Sequence, residues 1–187
     1  MAHLEPIAMR LEVKEGKNGC VLINDSYNSD LASLDIALDF MSRRSEDKGR
    51  KRTLILSDLL ETGQSSKLLY RQVADLVQSR GVDKIIGVGE EICSASSRFE
   101  MEKYFFRTTE DFLASELLTS LRNEVVLIKG SRSFHFDDIS DRLELKVHET
   151  ILEINLNALV DNLNYYRGKL KPETKMVCMV KASAYGA

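Results

Sequence analysis

The sequence predicts an α/β protein: an open, mostly parallel sheet with flanking helices over residues 1–148, then the truncated β-α-β start of a second domain over residues 149–187. Three observations predict it. Short apolar runs rich in β-branched residues recur along the chain, and such runs read as strands covered on both faces, as in a parallel sheet. Between them lie stretches whose apolar residues step by three and four, the period of a helix with one buried face. Strand then helix, repeated, is the pattern of right-handed βαβ units.

The elements follow in order. Cys20-Val21-Leu22-Ile23 is the first apolar run. Leu31, Leu34, Leu38 and Met41 form a helical stripe, with Asp30 where an N-cap belongs. Thr53-Leu54-Ile55-Leu56 is the second run, and Leu69, Val73 and Leu76 the next stripe, between Ser65 as N-cap and Gly81 as stop signal. Lys84-Ile85-Ile86-Gly87-Val88 is the third run. Leu113, Leu117 and Leu121 step by fours behind Thr109 as N-cap, and Val125-Val126-Leu127-Ile128 is the fourth run. From about Glu149 the pattern restarts. Residues 151–154 read as a strand, Leu156, Leu159, Leu163, Tyr166 and Leu170 as a helical stripe closed by Pro172, and residues 176–180 as a second strand. A β-α-β unit cannot cover its own sheet, so this tail reads as the opening of a larger domain, and its apolar stripe predicts packing on the first domain or on a second copy.

Composition narrows the function classes. The 187 residues carry 26 basic and 29 acidic side chains, a net charge of −3, and 43% are hydrophobic, which suits a globular protein with a full core. Mild acidity speaks against coating nucleic acid. A basic cluster (Arg43, Arg44, Lys48, Arg50, Lys51, Arg52) is interrupted by Glu46 and Asp47 and reads as a solvated connection. No run approaches the length of a membrane helix, and residues 1–10 lack a signal-peptide pattern, so the expectation is a cytoplasmic protein contacting neither membrane nor nucleic acid. Cys20, Cys93 and Cys178 are widely spaced, with Cys20 and Cys178 read as buried thiols, and His3, His135 and His148 lack metal-ligand spacing.

Ligands of an open α/β sheet bind at the carboxyl ends of its strands. Those ends are polar here. Asn24-Asp25-Ser26-Tyr27-Asn28 offers an aspartate that can accept two ribose hydroxyls and an asparagine for a base edge, or else turn and cap residues. The loop from Asp58 to Gly63 carries two carboxylates, Asp58 and Glu61, suited to an amine or a metal-bound phosphate if not simply a solvated turn. Lys129-Gly130-Ser131-Arg132 sets two cations and a hydroxyl beside a glycine, as an anion clamp would, or decorates a helix start. Gly87-Val88-Gly89 is a partial dinucleotide fingerprint, with Ile92 where the third glycine belongs, so a dehydrogenase-like module is the weaker alternative.

Taken together, these loops resemble the carboxy-terminal domain of the Mur ligases, which has a Rossmann-like sheet. The resemblance is carried by Arg10-Leu11-Glu12, Ile23-Asn24-Asp25-Ser26-Tyr27-Asn28, Ser57-Asp58-Leu59-Leu60-Glu61-Thr62-Gly63 and Ile128-Lys129-Gly130-Ser131-Arg132-Ser133, in order over most of residues 1–148. Within the family it is nearest the type that adds D-alanyl-D-alanine to UDP-N-acetylmuramoyl-tripeptide. That type's D-S-Y-N-A-N-P becomes residues 25–31 with Ser29, Asp30 and Leu31 at the end, and its G-D-M-x-E-L-G becomes residues 57–63 with Ser57 for the first glycine. In that family ATP phosphorylates a substrate carboxylate and an amine attacks the acyl phosphate. The resemblance implies ATP with Mg2+ as cosubstrate, Arg10 facing nucleotide phosphate, Asp25 the ribose and Asn28 the adenine. It also places Asp58, Glu61, Lys129, Ser131 and Arg132 near D-alanyl-D-alanine and the transferring phosphate. No G-x-x-x-x-G-K-[ST] phosphate loop occurs in these residues, so turnover is not expected from them alone.

The tail resembles the start of alanine racemase, a (β/α)8-barrel enzyme. Residues 152–159 and Val180-Lys181-Ala182-Ser183-Ala184-Tyr185-Gly186 carry this likeness, with Ser183 in place of Asp or Asn and Ala187 in place of His or Thr. It implies that Lys181 is the Schiff-base lysine for pyridoxal 5'-phosphate and Tyr185 a contact to its phosphate, although these residues by themselves are expected to hold no cofactor. The two resemblances together imply one polypeptide, ligase first and racemase second. Its partners would then include the rest of that polypeptide, and a homodimer through the racemase segment is compatible with it.

Overall fold

The computed structural model describes residues 11–26, 30–46, 49–59, 63–146, 154–177 and 179. The chain divides into two compact units, Met1–Leu145 and Lys146–Ala187.

The first unit is built on a six-stranded sheet. In chain order its strands are β1 (Glu12–Glu15), β2 (Val21–Asp25), β3 (Lys51–Ser57), β4 (Lys84–Val88), β5 (Glu102–Phe106) and β6 (Glu124–Lys129). They lie in the order β1-β2-β6-β3-β4-β5. β1 pairs antiparallel with β2, and every other pairing is parallel. The four apolar runs are the four central strands, and all six residues of β6 are buried. One face of the sheet packs Ile23, Leu54, Leu56, Ile85 and Leu127 against α1 (Leu31–Glu46) and α2 (Ser66–Ser79), while Leu22, Ile55, Ile86, Val126 and Ile128 meet Phe112, Phe136 and Ile139 on the other. Each such side chain removed from water contributes roughly 1.5–3 kcal/mol.

The helices on the first face start and stop where the sequence places the signals. Asp30 caps α1: its carboxylate accepts from the Ser33 N–H at 2.8 Å and from the Ser33 hydroxyl at 2.8 Å. Ser65 occupies the N-cap of α2 without a side-chain bond. Gly81 ends α2 in a left-handed conformation, with Gly81 N–H donating to the Gln78 carbonyl and Val82 N–H to that of Val77, the paired bonds of a Schellman stop.

Several features of this unit depart from the sequence reading. β1 and β5 were not among the predicted runs, because both are edge strands in which charged residues stand at the places apolar ones hold in the centre. The short α3 (Glu90–Ser94) follows β4 directly. The helix expected across Leu113 to Leu121 is two, α4 (Thr109–Leu113) and α5 (Leu117–Ser120). At the break the Phe112 carbonyl accepts from both the Ser115 N–H at 3.0 Å and the Ser115 hydroxyl at 2.7 Å, a tight i to i+3 turn. Thr108, not Thr109, supplies the cap, accepting from Asp111 N–H, while the Thr109 hydroxyl donates to the Phe134 carbonyl at 2.6 Å. After β6 a short 3-10 turn, Arg132–Phe134, leads through left-handed His135 into α6 (Phe136–Leu143).

The second unit contains α7 (Leu156–Gly168), capped by the Asn155 side chain, which accepts from Ala158 N–H at 3.0 Å. No residue of α7 is buried. The strand expected at 176–180 is absent from its described residues: Met176, Val177 and Met179 have no strand pairing and are exposed. A strand gains its backbone hydrogen bonds only from a neighbour. The strand expected at 151–154 lies, apart from Ile154, outside the described residues.

Candidate functional site

The parallel strands all end on the same edge of the sheet, and their order there decides which tips meet. Asp25 on β2 lies in register with Lys129 on β6, and Lys129 with Leu56 on β3; Ser57 on β3 then pairs with Val88 on β4. The tips at Asp25, Lys129 and Ser57-Asp58 are therefore consecutive along one edge. Neighbours on this edge are far apart in the chain, because β6, the last strand, is inserted between β2 and β3.

At its centre is a buried ion pair. Lys129 Nζ lies 3.0 Å from Asp25 Oδ2, with the lysine side chain 0% and the aspartate 6% exposed. The lysine also acts on the start of α1. Burial pushes the Asp30 carboxyl up, but the Ser33 N–H and hydroxyl and the Lys129 charge outweigh it, leaving the group below its usual range. Next to Asp25, the Ser26 hydroxyl donates to Asp137 on α6 at 2.7 Å, which anchors the β2 tip to the far face.

Ser131 and Arg132 follow Lys129 after Gly130, where a Cβ would come within 2.5 Å of the Phe136 ring. The Ser131 N–H donates to Ser57 Oγ at 3.0 Å, and its hydroxyl lies 2.8 Å from that of Ser133. Arg132 opens the 3-10 turn with its side chain exposed.

Asp58 sits one strand further along, and its carboxylate is engaged within the domain. It accepts from the Tyr70 hydroxyl at 3.1 Å, from Ile92 N–H at 2.8 Å and from Glu91 N–H at 3.2 Å. Tyr70 in turn accepts from Leu59 N–H at 3.3 Å. Burial, then the Asp58 charge, pushes the Tyr70 phenol far up, so it stays a neutral donor. Burial and the same carboxylate also raise the Cys93 thiol, whose S–H donates to the Phe106 carbonyl at 3.2 Å. This explains Gly87 and Gly89. Gly89 has φ +136° and a Cβ there would fall 2.3 Å from the Asp58 carboxyl carbon, while one on Gly87 would fall 2.5 Å from the Phe105 ring. Both glycines serve packing inside the domain.

Of the ten residues singled out in the sequence, the described structure brings together Asp25 and Lys129, ties Ser131 to the β3 tip, and places Asp58 and Arg132 on the same edge. Arg10, Asn28, Glu61, Lys181 and Tyr185 lie outside the described residues, as does Cys178. Sequence reasoning missed Ser57 and Tyr70, which shape the edge. It also missed a second polar cluster at the opposite end of the strands, where Lys84 Nζ contacts Glu124 at 3.0 Å and Glu102 at 3.6 Å, and Thr53 donates to Glu124. A signal was available: Thr53, Lys84 and Glu124 open or sit near the start of apolar runs. Much of the basic cluster is answered by local partners, Arg43 by Asp39 at 2.8 Å, Lys51 by Glu102 at 3.8 Å and Arg52 by Asp83 at 3.8 Å, with Arg44 over the Phe40 ring. Among the described residues no three His, Cys, Asp or Glu side chains gather to hold a metal, and no helix is long and apolar enough to cross a membrane.

The first unit is an open α/β domain with charged groups buried at the carboxyl tips of its central strands, the edge at which ligands of such sheets bind. The chain belongs to the Mur ligase family: the profile of its glutamate ligase domain matches residues 9–132. The UDP-N-acetylmuramoyl-tripeptide–D-alanyl-D-alanine ligase of Escherichia coli is 24% identical over 145 residues, 77% of this chain and 31% of the relative. The enzyme of the same name from Haemophilus influenzae is 31% identical over 134 residues, 68% of this chain and 28% of the relative. The chain thus spans under a third of the length of these curated relatives. The crystal structure of MurF ligase from Thermotoga maritima, solved in complex with ADP, superposes with a TM-score of 0.57 at 19% identity over 75% of this chain and 31% of that one, a likeness of fold.

Proposed function

We propose that the first unit is the carboxy-terminal, nucleotide- and substrate-binding domain of an ATP-dependent amide-forming ligase of the MurF type, adding D-alanyl-D-alanine to UDP-N-acetylmuramoyl-tripeptide in peptidoglycan synthesis in the cytoplasm. The observation that carries this reading is the buried Asp25–Lys129 pair at the carboxyl edge, beside the 129–133 loop. The likeness to UDP-N-acetylmuramoyl-tripeptide–D-alanyl-D-alanine ligases and the four motifs, in order, support it.

In this reading ATP, arriving with Mg2+, phosphorylates the terminal carboxylate of the tripeptide, the dipeptide amine attacks the acyl phosphate, and phosphate leaves. Asp25 accepts the ribose hydroxyls, held in place by Lys129; Arg10 and Asn28 complete the nucleotide side. Ser131 and Arg132 face the developing anion and the dipeptide carboxylate, where preorganised donors stabilise charge. Glu61 takes the amine. Asp58 contributes from behind, by holding α3 and Tyr70 against the wall. Turnover requires the phosphate-binding partner that closes over this edge, so the chain alone binds weakly, with a dissociation constant near millimolar, about −4 kcal/mol. Calorimetry with MgATP and with D-alanyl-D-alanine tests the reading: the unsubstituted chain gives binding heat, and Asp25→Asn loses the nucleotide response. Equal ATP affinity in the two overturns it.

The reading extends to a polypeptide that continues into a pyridoxal-phosphate-dependent alanine racemase, in which Lys181 would hold the cofactor and Tyr185 its phosphate, and through which two copies would pair. Support comes from the motifs at 152–159 and 180–186. The pairing is chemically coherent, since a racemase makes the D-alanine from which the ligase's dipeptide is assembled. A reading frame running from residue 187 into a barrel supports this extension, and one without a barrel overturns it.

A further inference from the structure

The carboxyl edge is laced from strand to strand. Asp25 and Lys129 join β2 to β6, Asp58 joins β3 to the start of α3 behind β4, and Gly89 N–H joins β4 to β5 through the Phe106 carbonyl at 2.9 Å. The remaining join, β6 to β3, is made at the tips by one hydroxyl. Ser57 Oγ accepts from Ser131 N–H at 3.0 Å and donates to the carbonyl of Asp58 at 3.0 Å. The side chain is fully buried, so water cannot replace either bond if it is lost. A glycine or alanine here would have no atom to offer.

We propose that Ser57 is a positioning residue for the 129–133 loop. Ser131 is anchored from both sides, its N–H by Ser57 and its carbonyl by Phe134 N–H at 3.1 Å, the bond that closes the turn presenting Arg132. Fixing Ser131 therefore fixes the direction in which the Ser131 and Arg132 side chains leave the loop. It also decides what an anion meets there. With its N–H committed to Ser57, Ser131 meets an anion through its hydroxyl, which lies 2.8 Å from that of Ser133. Ser57 thus gives the loop a fixed shape.

The proposal rests on the reading of this loop as an anion clamp, and its test separates the two. The 15N-labelled chain is compared with S57A, S57G and S57T by amide hydrogen exchange at Ser131 and by titration with inorganic phosphate and with D-alanyl-D-alanine. Loss of one neutral hydrogen bond predicts exchange about tenfold faster in S57A and S57G, with protection restored in S57T. Dissociation constants for the dipeptide rise in S57A and S57G and recover in S57T. Unchanged Ser131 exchange in S57A overturns the proposal, as does faster exchange with unchanged affinity. Faster exchange in a series whose unsubstituted parent binds neither probe supports the tether and overturns the clamp reading instead.

Discussion

Replacing Lys129 with methionine keeps the length and apolar volume of the side chain but leaves the Asp25 carboxylate without the ammonium 3.0 Å away. Both groups are almost completely withdrawn from water. Removing one partner of such a pair costs about 3–5 kcal/mol, mostly the desolvation of the charge left behind. In a unit of this size (Met1–Leu145) each kcal/mol moves the melting temperature by about 3 °C, so K129M is expected to melt about 10 °C lower. The double variant D25N/K129M removes the stranded charge and recovers much of the loss. Arg43→Ala provides the control: Arg43 also meets a carboxylate at 2.8 Å, but its side chain is 76% exposed, and such pairs contribute about 0–1 kcal/mol. Differential scanning calorimetry of the cycle reads all three. If K129M melts within about 1 °C of the unsubstituted chain, or D25N/K129M is no better than K129M, the pair is not the buried clasp described above.

Other consequences follow from single residues. Asp30→Ala removes the α1 cap and is expected to cost about 0.5–2 kcal/mol in urea unfolding, whereas Asp30→Asn costs little. Because the Asp30 carboxyl is lowered in the folded chain, its contribution is full above the usual aspartate range and is lost as pH falls through the folded value. The gap in melting temperature between the unsubstituted chain and Asp30→Ala should therefore narrow in acid. Tyr70 behaves oppositely. Its phenol is raised on folding, so the stability it contributes is full below about pH 10 and declines as pH rises further, and Tyr70→Phe should flatten the alkaline limb of the stability profile. Gly89→Ala forces a side chain onto the Asp58 carboxylate at positive φ and is expected to destabilise by more than about 1 kcal/mol, measured by urea unfolding.

What the sequence made legible depended on whether a residue's surroundings were local. The β-branched Val-Val-Leu-Ile run of 125–128 reads as a strand covered on both sides, and the Asp30 and Gly81 signals act within a few residues of themselves, so the central sheet and α1 and α2 could be read. β5 could not, since its glutamate, lysine and aromatics make sense only at a sheet edge. The break between α4 and α5 falls in a tight turn at Ser115, which the leucine spacing alone does not show. At the candidate site the polar loops were visible, and the pairing of Asp25 with Lys129 was not, because it depends on β6 lying beside β2. Asp58 shows the same limit: its carboxylate looked available in sequence and is engaged by α3 and Tyr70, groups 12 to 34 residues away.

The central claim is that one edge of this sheet receives an energised nucleotide together with a small dipeptide, and a backbone amide map of the chain titrated with MgADP and then D-alanyl-D-alanine tests it most directly. The account predicts shifts concentrated at Asp25, Ser26 and residues 129–132, displaced further by the second ligand. Shifts centred instead on the groove at the opposite end of the strands, lined by Lys17, Leu118 and Arg142, would contradict it.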